Sequence, residues 1–325
     1  MRATLILALG ILVPTLWTHG YADDDSQKLL RPSPRVLLDP AAHYSPLLFT
    51  KKAPTRPGEW MAEHPEPRQS FSEYTAAHPC RPTRGRHTIV ISAVGPMSDQ
   101  ERKRLETFKA FMEAYYTMPV RIGEALGLAG VKNREQTFFG RTVPQYLTGD
   151  ILYQVLRPAL PQDAYCLIGV TMEDLYPEPS WNYVFGQATL SHRVGIYSLV
   201  RFYPAFWGYP ETDAATRKAL LRSLHTLVHE TGHMFGLHHC QQYDCMMNGT
   251  NSLAESDTRP IHLCPVCLRK LRWNIGFDMI ARYEGLLKYY EANGMTAEAA
   301  WVAKRIRQCR GEKVTPAGGK DANAP

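Results

Sequence analysis

The sequence predicts a mixed α/β (α+β) domain, and three observations carry that expectation. Across residues 88–202, apolar β-branched runs that read as buried strands alternate with segments of helical period. A long helical pattern then spans about Thr212–Leu237, and two amphipathic helices, near Ile275–Tyr290 and Ala297–Gln308, follow it. With 325 residues, 44% of them hydrophobic and 21% charged, the chain can bury a sizeable core, which excludes a wholly disordered protein.

Each element follows from local signals. Residues 23–86 are proline-rich, with Arg31-Pro32-Ser33-Pro34, His64-Pro65-Glu66-Pro67 and His78-Pro79-Cys80; proline drives the residue before it towards extended conformations. This stretch predicts an extended leader laid over the domain, with room for one short helix. The β-branched run Thr88–Val94, closed by Gly95-Pro96, predicts a buried strand. Ser98 and Glu101 form a capping box that opens a helix, and Leu105, Phe108, Phe111, Met112 and Tyr115 give it one apolar face. A second strand at Val120–Ile122, a helix over Pro144–Leu156 and a strand at Ala164–Thr171 follow. Strands at Tyr183–Ala188 and Val194–Phe202 are separated by the polar turn Ser191-His192-Arg193. In the long helix, Leu220, Leu221, Leu224, Leu227 and Val228 form the apolar face, and Gly236 marks the stop.

The ends read differently. Met1-Arg2, an apolar run from Leu5 to Trp17 and Gly20-Tyr21-Ala22 match a secretory signal peptide over residues 1–22, which predicts an exported (periplasmic or secreted) protein without stable membrane insertion. Pro14 interrupts the run, which is too short to favour a stable span. Gly311 to Pro325 has no apolar period and predicts a disordered tail. The expected plan is a signal peptide over 1–22, a proline-rich extension over 23–86, a catalytic domain over 87–310 and the tail over 311–325.

The chemistry concentrates in His229-Glu230-Thr231-Gly232-His233-Met234-Phe235-Gly236-Leu237-His238-His239. His229 and His233 stand one helical turn apart, so both imidazoles leave one face at a spacing that suits two zinc ligands. Glu230 sits beside the first and can take a proton from a water activated there. Gly236 lets the chain double back, so His239 can supply a third ligand; three protein ligands and an open position are the pattern of a catalytic zinc site. A His-Glu-x-x-His pattern alone arises by chance in about one chain in a hundred of this length, and the added glycine and histidine lower that to below roughly one in ten thousand. His225, one turn upstream, reads as a neighbour of the cleft, and His238 as pointing away.

Cys240, Cys245, Cys264 and Cys267 form two close pairs, a layout that suits a four-thiolate structural zinc site. Two disulfides are the alternative, since an exported chain meets an oxidising compartment. Cys166 reads as a buried thiol, and a Cys80–Cys309 disulfide is conceivable. Either Met246 or Met247 could form an apolar floor beneath the histidines.

The extended zinc motif followed by a methionine resembles the metzincin metallopeptidases, and the cysteines narrow the resemblance to the archaemetzincins. In that family the third histidine is followed directly by a cysteine, then four residues, a Cys-x-Met and a distant Cys-x-x-Cys. Cys240, Cys245, Met247, Cys264 and Cys267 match that pattern, which makes Met247 the turn methionine. The sixteen residues between Met247 and Cys264 are one fewer than the family's usual spacing, a loop-length variation. Asp174-Leu175-Tyr176-Pro177, Trp181–Ala188 and Arg259–Pro265 also look like animal-type archaemetzincin segments, with residues 85–290 resembling the family well and 23–84 only loosely. The resemblance implies a metzincin-like zincin domain with a twisted mixed sheet, an active-site helix, a methionine turn and C-terminal helices. It further implies Val194–Phe202 as upper rim of the cleft.

The function expected is zinc-dependent hydrolysis of peptide bonds, with Glu230 as general base, His229, His233 and His239 on a catalytic zinc, and the four cysteines on a structural one: two zinc ions per chain. Its partner is a peptide or protein substrate, and aminopeptidase-type cleavage is proposed within the family. The alternative is a zinc-stabilised binding protein with a vestigial peptidase site. A net charge of +6, spread along the chain, argues against nucleic-acid binding.

Overall fold

The computed structural model describes residues 28, 29, 41–138 and 140–315. The expected signal peptide at 1–22 and the part of the tail from 316 onward lie outside the described residues. A five-stranded sheet forms the centre, in the order β2 (Val120–Ile122), β1 (Thr88–Ala93), β5 (Ala164–Thr171), β8 (Val194–Ser198), β7 (Gly186–Ala188). The first four run parallel and β7 runs antiparallel to β8, so β7 is an edge. A parallel strand between two parallel neighbours is covered on both faces, which is why every residue of β5 is buried. Along β1, Ile89, Ile91 and Ala93 join one hydrophobic core, while Val90 and Val94 beside them face a smaller second one.

Helix α3 (Asp99–Tyr116) covers the larger-core face. It begins at the expected Ser98–Glu101 capping box and buries Leu105, Phe108, Phe111, Met112 and Tyr115. It packs against α4 (Asp213–Met234), which carries the zinc motif, and against α6 (Met279–Ala292). Thr212 caps α4 by accepting from the Ala215 N–H.

Several expectations need correction. The chain at Pro144–Leu147 is strand, not helix: β4 (Arg141–Leu147) pairs with β3 (Asn133–Phe138) and β6 (Asp174–Tyr176) in a second sheet, and helical winding begins only at Thr148. Pro144 is tolerated there because it lies opposite Glu135 and outside the β4–β6 ladder, which starts at Gln145. The β8 strand ends at Ser198, and Val200–Phe202 forms a 3-10 turn. Only Gly186–Ala188 of the Tyr183–Ala188 run is strand. The helix expected from Ile275 begins at Met279, capped by Asp278, because an unanticipated α5 (Pro265–Ile275) precedes it and ends at Gly276 with φ +87°. The last helix, α7, spans Thr296–Cys309. The described part of the leader holds two short α-helices, α1 (Trp60–Glu63) and α2 (Phe71–Ala76), the second with its own capping box at Ser70.

Candidate active site and cysteine cluster

Helix α4 presents His229 and His233 on one face, and the chain reverses at Gly236, where φ is +79°, to return His239 to the same point. The Nε2 atoms converge: His229 to His233 is 3.1 Å, and His229 to His239 is 3.3 Å. Each opposite nitrogen has its own acceptor. Nδ1 of His229 faces the Met246 carbonyl at 3.0 Å, Nδ1 of His233 the Leu237 carbonyl at 2.7 Å, and Nδ1 of His239 the Glu66 carboxylate at 2.6 Å. Three Nδ1–H donors leave three Nε2 lone pairs aimed at one point, which is the donor set that a divalent cation takes from imidazoles. Burial holds His229 well below the usual imidazole range and His233 at about 3, so these rings stay neutral, as ligands must.

Glu230 is buried on the same helix and lines the cleft. It lies so close to edge strand β7 that a Cβ on Gly186 would stand 2.8 Å from its carboxyl oxygen. Burial pushes its pKa up to about 8, with the charge of Arg259 acting in the opposite direction. A cation on the histidines would favour the ionised form further. Arg259 is itself buried, which brings it down to about 10. Its Nη1 donates to the Asn248 carbonyl at 2.9 Å and stands 3.1 Å from His229 Nδ1, bracing the turn beneath the histidines.

That turn settles the choice of methionine. Asn248 N–H closes on the Cys245 carbonyl at 2.9 Å, and the Met247 carbonyl accepts from Cys240 N–H at 2.7 Å. Met247 sulfur lies against α4 at Gly232, where a Cβ would meet it at 2.6 Å. Met247 is therefore the floor, as the family spacing implied, while Met246 supplies the backbone carbonyl for His229. His225 is buried outside the convergent set, and His238 lines the cleft without joining it.

The cleft has a volume of about 700 Å³. Its sheet-side wall is Phe185 and β7, so the upper rim is β7, not the expected Val194–Phe202, whose strand part Val194–Ser198 lies between β5 and β7 in the sheet interior. A buried clamp holds the approach to that wall. Arg201 pairs with Asp174 at 2.7 Å, Gln145 bridges Asp174 and the Asn182 carbonyl, and Arg134 donates to the Pro179 and Trp181 carbonyls. The opposite wall comes from the leader. Trp60 meets the His239 ring edge-on at 5.2 Å and donates from Nε1 to Glu66 at 2.8 Å, while His64 stacks on Trp181 at 4.7 Å.

Beyond His239, all four cysteines of the motif are buried, unbridged and mutually within 4.8 Å. The Cys240 and Cys264 sulfurs are 3.6 Å apart. A disulfide would need about 2.05 Å, whereas sulfurs at the corners of a tetrahedron around zinc stand about 3.8 Å apart, given Zn–S near 2.3 Å. Backbone N–H groups of Cys264 and Cys267 donate to the Cys245 and Cys264 sulfurs at 3.2 and 3.5 Å. Hydrogen bonds from the other three thiols pull Cys240 well below its usual range, and burial pushes Cys245 well above. Four buried thiols cannot all ionise without a cation between them, so the donor set fits zinc. Cys166 is buried in β5 as expected, and Cys80 and Cys309 form no disulfide with each other.

Comparison with known proteins agrees with this arrangement. The model of peptidase family M54 matches residues 161–273. Archaemetzincin-2 of Macaca fascicularis is 35% identical over 263 residues, covering 72% of this chain and 72% of that one. The chain belongs to the archaemetzincin family. The Mus musculus archaemetzincin-2 is similar at 36% identity with the same coverage, and the Homo sapiens archaemetzincin-1 at 27% over 80% of this chain and 58% of its own. Among solved structures, an archaemetzincin from Methanopyrus kandleri is 26% identical, covering 58% of this chain and 96% of that one, with a TM-score of 0.45.

Three archaemetzincin site residues escaped the sequence reading. Glu66 and Trp60 lie in the leader, 173 and 179 positions before His239 and outside the M54 match. Nothing in the local sequence signals a partner so remote. Arg259 carried a signal, its place in the family-like segment Arg259–Pro265, but no chemistry of its own.

Proposed function

We propose that this chain hydrolyses peptide bonds as a zinc metallopeptidase of the metzincin type, with Glu230 as its general base. The observation that carries the proposal is the convergence of three Nε2 atoms at the floor of a cleft that Glu230 also lines. Zinc held by His229, His233 and His239 would supply Lewis-acid polarisation of the scissile carbonyl and of the attacking water. Glu230 takes a proton from that water and returns it to the departing amine. Its burial against β7 keeps bulk water from competing for the proton. The edge strand offers backbone groups to an extended peptide along the cleft, which supports a peptide or protein substrate. Glu66, Met246 and Leu237 fix the three imidazoles in the ligating tautomer. The four cysteines would hold a second, structural zinc, giving two ions per chain. Export through the segment at 1–22 is part of the same reading, testable by N-terminal sequencing of the secreted protein.

The decisive experiment compares the metal-loaded protein with Glu230→Gln on a mixed peptide library read by mass spectrometry. Hydrolysis should fall by about 10²–10⁴-fold in the variant while metal content stays unchanged. Equal turnover in both would overturn the role of Glu230; no products from either, with zinc confirmed, would favour the binding-protein reading. Single-residue ladders from one end would identify aminopeptidase cleavage, and internal fragments would exclude it.

A further inference from the structure

Behind the zinc-binding loop lies a second cavity of about 190 Å³, enclosed by α6, α7 and the segment from Pro260 to His262. Its walls are mainly apolar and aromatic, with Ile261, Leu286, Trp301 and Val302 among them. One lining residue does not suit such walls. Arg282 is only 2% exposed, and the rings of Tyr115, Phe277 and Tyr283 stand 4.6, 5.4 and 5.6 Å from its guanidinium carbon. Its Nε donates to the Tyr115 carbonyl at 2.7 Å, but its Nη2 is buried without any hydrogen-bond partner. Among the described residues no carboxylate pairs with it. Arg305, fully buried beyond Tyr283, also bonds only neutral groups: the Tyr283 hydroxyl, Gln308 and the His43 carbonyl. One buried guanidinium thus lines the cavity without a paired carboxylate, and a second lies behind Tyr283, outside the lining. Burying a charge is costly unless a counter-charge or a full set of acceptors compensates it.

The remaining polar groups narrow what could compensate it. His262 stacks flat on Trp301, with ring centroids 3.7 Å apart, and its Nδ1 is likewise buried without a partner. Glu298 is the one carboxylate among the lining residues, and it makes no ion pair with Arg282. A second negative charge on a ligand would be repelled there. The volume equals that of about six waters, enough for a phenyl ring or short alkyl chain and too little for a peptide.

We propose that this cavity is a second ligand site that takes a small monocarboxylate with an apolar body. The carboxylate accepts from the Arg282 guanidinium, and the body lies against Leu286, Trp301 and Val302. This site does not depend on the peptidase reading, and no residue of the catalytic cleft takes part in it.

Titration of the full-length, metal-loaded protein with 3-phenylpropionate, followed by calorimetry and by tryptophan fluorescence, tests the assignment. Saturable one-to-one binding is expected, with Arg282→Gln weakening it about tenfold or more. The neutral amide of the same acid should weaken to a similar degree, and succinate should not bind. Leu286→Trp, which fills the cavity, should abolish binding, and it keeps the test open if Arg282→Gln fails to fold. Absence of saturable binding overturns the proposal. So does binding that survives Leu286→Trp, because that places the ligand at another site, such as the histidine cluster.

Discussion

His239 and Cys240 are neighbours in sequence, yet they belong to two ligand clusters with opposite environments. The histidine cluster has three donors, and it sits at the floor of a cleft of about 700 Å³. The cysteine cluster has four donors, all buried, and no cysteine lines the cleft. Their support differs as well. The imidazoles are oriented by acceptors from the methionine turn, the end of the active-site helix and the distant leader. Two of the sulfurs accept from N–H groups at the start of α5, which belong to cysteines of the cluster itself. Donor number and access separate a site built for exchange from one built for closure. Met246 and Met247, lying between them, tie the two together, so an error in the closed cluster should reach the open one.

The largest expected effect comes from breaking the closed cluster. Cys245→Ser leaves three thiols buried without their fourth partner and should lower Tm by at least roughly 10 °C, or abolish soluble folded protein, taking activity with it. A normal melting curve for this variant would mean that the cluster has no structural role. His233→Ala should do the reverse, with hydrolysis lost and one metal equivalent gone while the second equivalent and the far-ultraviolet circular dichroism remain. Next in size is Glu66→Ala, which should weaken metal at the histidines by about 10–100-fold in chelator competition while leaving the cysteine-bound metal untouched. Glu66→Gln keeps an acceptor for His239 and should recover part of that affinity; equal affinity in all three proteins would remove Glu66 from the site. The smallest effect concerns the remaining thiols. In the metal-loaded protein an alkylating reagent should modify the half-buried Cys80, and chelator should then expose the four cluster cysteines. Cys166 should stay protected throughout, since burial raises its thiol far above the usual range.

The contrast also explains what could be read without coordinates. Periodicity located α3, α4, β1 and β5 because their side chains are buried on a regular stripe or on every residue. It failed at β3, where exposed and half-buried residues alternate but are largely polar, and at β4, where the one buried residue is Gln145, so no apolar period marks either. At Pro265–Ile275 the signals were present, with proline at the first turn and glycine after the last, but the cysteine pattern drew attention to ligation in place of winding. All seven ligand candidates fall within 39 residues and depend on residue type and spacing, which a sequence displays directly. Glu66 and Trp60 depend on tertiary docking of the leader, which spacing does not encode.

The hydrogen bond from His239 to Glu66 closes a loop of 173 residues. The other two imidazole acceptors lie within 17 positions of their histidines. Local contacts form early in folding, whereas long loops close late because their chain entropy must be offset before the contact is gained. The active-site helix and its return can therefore assemble with two imidazoles aligned while the third still swings. The part of the chain that is synthesised first is then the part that finishes the site last, and the interval before it docks is a period in which the fold exists without its full affinity for metal.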